Sequence, residues 1–91
     1  RGKVFQVQSL REGEAEVIEL EAAESCLMIG EPLRNKPLPD GVFIAAIIRG
    51  KNIIFPDSNT IIEIGDKVIV FARHDSISEI EKIFSVGIGF Y

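Results

Sequence analysis

Val42-Phe43-Ile44-Ala45-Ala46-Ile47-Ile48, closed by Gly41 before it and Arg49-Gly50 after it, is the stretch on which the fold turns. Its shortness and its branched side chains predict a strand covered on both faces rather than a helix. Ala45 and Ala46 at its centre leave room for close packing by a helix or a symmetry mate. Gly50-Lys51-Asn52 then reverses the chain, and Ile53-Ile54-Phe55 returns as the hairpin partner.

Reading downstream, Pro56 to Asn59 is a loop, Thr60 to Ile64 a short extended stretch and Gly65-Asp66 a turn. Lys67–Arg73 follows as a strand whose core, Val68-Ile69-Val70-Phe71, is buried. Ser76-Ile77-Ser78-Glu79 has the spacing of a capping box and opens a helix. Ile77, Ile80, Ile83 and Phe84 make its apolar stripe, while Ser78, Glu79, Glu81 and Lys82 face water. The apolar tail from Val86 to Tyr91 is expected to dock on the domain or on a neighbour.

Upstream, Val4 to Leu10 alternates as a short strand with Phe5 and Val7 on one face and Gln6 and Gln8 on the other. Arg11-Glu12-Gly13-Glu14 breaks it. Glu14 to Ala22 is a second strand whose alternation slips at Val17–Ile18, which predicts a bulge or a change of covered face. Met28 to about Lys36 reads as one short helix, because Leu27, Ile29 and Leu33 lie near helical spacing and Pro32 suits a first turn. Pro37-Leu38-Pro39-Asp40-Gly41 ends it.

With 91 residues, the chain is one domain. It is 46% apolar and 26% charged, too apolar for disorder and too interrupted by charge for a membrane span. Fifteen Ile and seven Val favour sheet. A domain this small buries only about 60–65% of its unfolded surface, so a second copy would help it. It begins at Arg1 and its only Met is Met28, as expected of a piece of a longer protein.

A net charge of −4 with scattered basic residues argues against nucleic acid, which needs a clustered basic face. Seven glutamates and no Lys or Arg fill Glu12 to Glu31. They read as a solvated acidic face or, more sharply, as a surface for a cation or basic partner. Cys26 is alone, which excludes a disulfide framework and points to a reducing compartment. Gly87-Ile88-Gly89 lacks the rest of a dinucleotide loop. Asp57-Ser58-Asn59 opens like a calcium loop, but Ile62 and Val68 occupy its sixth and twelfth positions, so a turn is predicted. His74-Asp75 reads as a solvated loop pair. No catalytic or metal-binding residue is assigned. An enzyme would need a cleft uniting two of Cys26, His74 and the Glu12–Glu31 acids, and none is expected. Arg34, Asn35 and Lys36, at a helix end before a double-proline stop, either face solvent or meet a small anion with Arg34 as the fork. Arg49 is similarly open.

The order of motifs resembles the RCK C-terminal, or TrkA-C, domain family across essentially the whole chain. The matching pieces are Ser9-Leu10-Arg11-Glu12-Gly13 with Ala15 to Glu19, Ile29 to Leu33, Leu38-Pro39 with Gly41, Ile44 to Gly50, Ile64-Gly65-Asp66 with Val68 to Phe71, and Ile80 to Phe84. The resemblance implies an α+β domain: a mixed sheet, one short helix after the second strand and a C-terminal amphipathic helix. Residues 1–11 would be a junction from a preceding domain and 12–91 the regulatory domain itself. It implies a cytoplasmic regulator, peripheral to the inner membrane, which dimerises and controls a Trk-type potassium channel or transporter. The same sensor could serve another transporter or antiporter instead. NAD or ATP is expected only in a preceding Rossmann domain, so no cofactor is assigned here. A small-molecule regulator, cyclic di-AMP in some relatives, is expected near Arg34, Asn35, Val42, Phe43, Ile44, Ala45 and Arg49, although the Pro37–Pro39 turn speaks against cyclic di-AMP. The dimer surface is expected at Ile29, Leu33, Val42, Ile44, Ala46, Phe90 and Tyr91.

Overall fold

The computed structural model describes residues 2–88. Its strands are β1 (Val4–Leu10), β2 (Ala15–Glu21), β3 (Val42–Arg49), β4 (Asn52–Ile54) and β5 (Lys67–Arg73), and one α-helix, α1 (Ile77–Phe84), follows. The strands form a single sheet in the order β1-β2-β5-β3-β4. The expected α+β class holds. β5 decides the topology, because the last strand in sequence inserts between β2 and β3 and runs antiparallel to both. β2 and β3 therefore point the same way without touching. The sheet is antiparallel throughout its strands, so the mixed pairing expected is confined to an isolated parallel bridge, Ile29 to Ile62.

Strand alternation builds one buried face. Ile18 and Leu20 on β2, Val68, Val70 and Ala72 on β5 and Ile44 and Ile47 on β3 are all buried there, under Ile77, Ile80 and Phe84 of α1. The apolar stripe of α1 thus works as its spacing predicts, with Ile83 packed at its margin. The bulge expected in β2 is absent. β2 pairs with β5 in unbroken register from Ala15 to Glu21, and Glu16 simply takes an inward position. The bulges fall in β1, between Val4 and Gln6, and in β3, between Ile44 and Ala46. The first corrects the reading of β1. Val4 and Val7 pack on the core, whereas Phe5 turns outward and lies under the Lys67 ammonium, 4.6 Å from its ring centre. β3 is covered on one face only, because the single helix lies on one side of the sheet; Phe43 on the other side is 66% exposed.

The short helix expected between Met28 and Lys36 is a single 3-10 turn at Leu33–Asn35. The backbone there finds its partners across space rather than four residues back. Gly30, Leu33 and Arg34 donate their N–H groups to the carbonyls of Ile62, Thr60 and Ser58, at 2.9–3.2 Å. Ile61 and Ile62, within the predicted extended stretch, bridge to Pro32 and Ile29. The β3–β4 reversal is a two-residue turn, Gly50-Lys51, with Gly50 at φ 59°, the left-handed first position that a type II′ turn demands.

The start of α1 also differs from the reading. A 3-10 turn at His74–Ser76 runs straight into the helix. The Ser76 hydroxyl donates to the Asp40 carbonyl at 2.7 Å instead of capping, so no capping box forms. Gly41 makes this contact passable: a Cβ there would lie 2.8 Å from Arg73 Nε and 2.9 Å from Ser76 Oγ. At the other end Ser85 sits in the left-handed region, and the Ser85 and Val86 amides donate to the Lys82 and Glu81 carbonyls as a Schellman motif. Val86 and Ile88 then pack back on the core, and the Ile88 amide donates to Glu81 Oε2 at 2.7 Å, so this part of the tail docks on its own domain. Phe90 and Tyr91, expected at a dimer surface, lie outside the described residues.

Candidate functional site

The 57–60 loop organises the most promising surface. Asp57 Oδ1 accepts the Asn59 amide at 2.8 Å, and Thr60 Oγ1 accepts the Asp57 amide at 2.9 Å. This is the turn that the sequence predicts there, closed by side chains that mimic backbone. The loop is stitched to residues 33–34 by the two amide bonds above, and Asn59 Oδ1 accepts a hydrogen bond from the Arg34 guanidinium. Beside it lies an open depression of about 240 Å³. Leu33, Leu38, Phe43, Ile44 and Pro56 form its apolar wall, and Arg34, Asp57 and Ser58 its polar rim. An exposed aromatic ring next to an oriented guanidinium suits a ligand with a flat apolar part and an acceptor group.

Of the expected ligand residues, Arg34, Phe43 and Ile44 therefore meet in one place. Asn35 is exposed on the adjacent 3-10 turn, and Val42 and Ala45 are half-buried on β3. The Arg34-Asn35-Lys36 triplet does not act as one fork, since Lys36 Nζ pairs with Glu31 at 3.3 Å while Arg34 turns to Asn59.

Arg49 is committed elsewhere. Its Nε and Nη2 donate to the two Asp66 carboxylate oxygens at 2.9 and 2.7 Å, and Nη2 also donates to the Ile61 carbonyl. Nη1 lies 3.3 Å from Glu63. Asp66 is only 2% exposed and accepts the Glu63 amide as well. Burial pushes its carboxyl pKa up, but the Arg49 hydrogen bonds, the Glu63 amide and the Arg49 charge together hold it below the ordinary carboxylate value. This network ties the β3–β4 hairpin to the Gly65-Asp66 turn, and residue-by-residue reading missed it. The available signal was the carboxylate in an apolar stretch one residue before β5.

The expected dimer residues divide by face. Ile44 is buried on the helix side, Ile29 and Leu33 pack at the core margin, and Ala46 points to the open side, opposite Ile69. That open side carries Phe43 and Phe71, paired across strands with ring centres 6.5 Å apart at 85°.

The expectation that no two of Cys26, His74 and the acids would meet is corrected. His74 Nδ1 lies 3.5 Å from Glu16 Oε1, and His74 shares an open depression of about 380 Å³ with Glu14, Arg73 and Asp75. The long connection from β2 to β5 hid this, because the 3-10 turn after β5 folds over the start of β2. Cys26 is buried, and burial pushes its thiol pKa up, which suppresses the thiolate. Among the described residues no group of three His, Cys, Asp or Glu is placed to hold a metal ion. No helix there is long and apolar enough to cross a membrane.

The antiparallel sheet with its one helix, and the Gly65-Asp66 turn feeding β5, are the frame on which the comparisons fall. The family model described as the TrkA-C domain matches residues 17–85, from the middle of β2 to the end of α1. The chain belongs to the TrkA-C domain family. Among relatives of this TrkA-C domain, the Trk system potassium uptake protein TrkA of Azorhizobium caulinodans is 36% identical over the whole chain, which covers 20% of that protein. The Trk system potassium uptake protein TrkA homolog 1 of Methanosarcina mazei is 38% identical over 91% of the chain and is covered to 19% of its length. The K(+)/H(+) antiporter NhaP2 of Shewanella baltica is 36% identical over 79% of the chain, which spans 12% of it. The TrkA-C domain described here thus spans about a fifth or less of these relatives.

Proposed function

We propose that this TrkA-C domain is the regulatory, non-catalytic module of a Trk-type potassium uptake system. The observation that carries the reading is the match of the entire chain to one segment of a TrkA protein at 36% identity. In this reading the domain acts from the cytoplasmic side, pairs with a second copy and passes ligand state to a membrane potassium transporter. A ligand does so only if it binds one arrangement of the pair better than another. Its seat is the depression of Arg34 and Phe43, with the guanidinium as polar anchor. Nucleotide cofactors belong to a preceding domain.

A domain exchange tests the assignment. The corresponding fifth of the Azorhizobium caulinodans protein is replaced by residues 1–91, and growth of an uptake-deficient bacterium is followed at limiting potassium. Restored growth is expected, and a fully folded chimera that never restores uptake would sink the reading. The antiporter match supports a second one, in which the same module governs potassium–proton exchange. Exchange into NhaP2 with a proton-flux readout separates the two. For the ligand seat, a set of small mono- and dinucleotides is the probe: binding by calorimetry of any of them that falls about tenfold or more in Arg34→Ala supports the seat. Binding indifferent to Arg34 would place the ligand elsewhere.

A further inference from the structure

Glu16 is an anomaly of the inner sheet face. Strand alternation sends it to the same side as Ile18 and Leu20, where its side chain is 6% exposed. One carboxylate oxygen, Oε1, has His74 Nδ1 at 3.5 Å; the other, Oε2, is buried with no hydrogen-bond partner among the described residues. A buried carboxylate so poorly matched is tolerated best beside a cation. Opposite it in the register stand Ser9 on β1 and Ala72 on β5, neither of them titratable. Among the described charged groups nearby, Arg73 lies 3.5 Å from Asp75, and Glu14 lies 3.1 Å from Arg11.

His74 also sits at a mechanical junction. Its amide donates to the Glu14 carbonyl at 2.9 Å, and its 3-10 turn leads directly into α1. We propose that the Glu16–His74 contact is a proton-gated latch that holds the start of α1 to the β1–β2 hairpin. With the imidazole protonated, the pair is ionic and the turn is clamped to β2. Without that proton the contact loses its ionic attraction, and the turn loosens. The device is independent of the Arg34–Phe43 depression, and it links solution acidity to the one helix that covers the core.

His74 is the only histidine, so its ring signals in a proton–nitrogen or proton–carbon spectrum are unambiguous. On titration from pH 5 to pH 8, the range in which imidazoles exchange their proton, the amides of Glu14, Glu16 and Ile77 are expected to move in step with the ring. Hydrogen exchange of α1 amides, corrected for intrinsic rates, is expected to be about fivefold slower at pH 5.5 than at pH 8. In Glu16→Gln, which keeps the shape and removes the charge, both responses disappear while the ring still titrates. His74→Gln, at a half-exposed site, should likewise abolish the pH response. Amides that ignore the ring in the wild-type chain, or that respond equally in Glu16→Gln, would overturn the latch.

Discussion

Asp66 shows what one buried charge does when its partners are complete. Both oxygens meet the Arg49 fork, and the Glu63 amide adds a third donor. Arg49→Met keeps an unbranched stem of similar length and leaves the carboxylate without its guanidinium. Breaking a buried pair from one side costs about 3–5 kcal/mol, and the one-third exposure of Arg49 reduces that here to about 2 kcal/mol. Urea unfolding would measure it, and a loss under half of that would show the pair to be solvent-screened. The sign of the pH effect follows from the depressed carboxyl. Its ionised form stabilises the fold above the unfolded-chain value of about 3.9, and that contribution is lost as pH falls through the lower folded value. Stability in Asp66→Asn is therefore expected to fall less steeply below about pH 4 than in the wild-type chain.

At the scale of elements, turns carry local strain that substitution can relieve. The β1–β2 connection places Arg11 at φ 48° and Glu12 at φ 57°, both left-handed positions held by residues that dislike them. Glu12→Asn is expected to raise stability by about 0.5 kcal/mol, because Asn tolerates that region. Glu12→Val should lower it by about 1 kcal/mol, its branched Cβ meeting the backbone. The pair of opposite shifts in the urea midpoint is the check, and equal midpoints would mean that the turn relaxes. The same scale explains the misread helix. The spacing of Leu27, Ile29 and Leu33 suits a helix and a bridged coil alike; what separates them is the set of carbonyl acceptors on the 58–62 segment, far off in sequence.

For the whole molecule, one helix on a five-stranded sheet leaves one face of β3 and β5 open. Phe43 is 66% and Phe71 43% exposed there, and Ile53 and Phe55 beyond the hairpin are 64% and 80% exposed. Such a face on a small domain favours association. We propose it as the surface that a second copy covers, with Ala46 at its centre. Sedimentation at high micromolar concentration is expected to show a dimer for the wild-type chain and a monomer for Phe43→Lys. Because that ring is mostly in water, stability of the monomer should change by less than about 1 kcal/mol. A wild-type monomer under these conditions would remove the two-copy mechanism.

How much of this was legible differs by the range of the interaction. Strand positions, the stripe of α1 and the Gly50 and 57–60 turns are all written in neighbours two to seven residues apart. Alternation, helical period and turn chemistry act over just that distance, so the strands and the closing helix were legible one by one, and the resemblance to a known family supplied the α+β class. The central place of β5, the bulges in β1 and β3, the exposure of Phe5 and the reassignment of Ser76 to Asp40 came only with the fold. So did the meeting of Arg34 with Asn59, of Arg49 with Asp66 and of Glu16 with His74. These contacts join residues 17 to 58 positions apart, and a chain has many ways to close loops of that length. Which closure wins depends on how all the buried side chains fit at once, and that is a property of the packed molecule rather than of any stretch of its sequence.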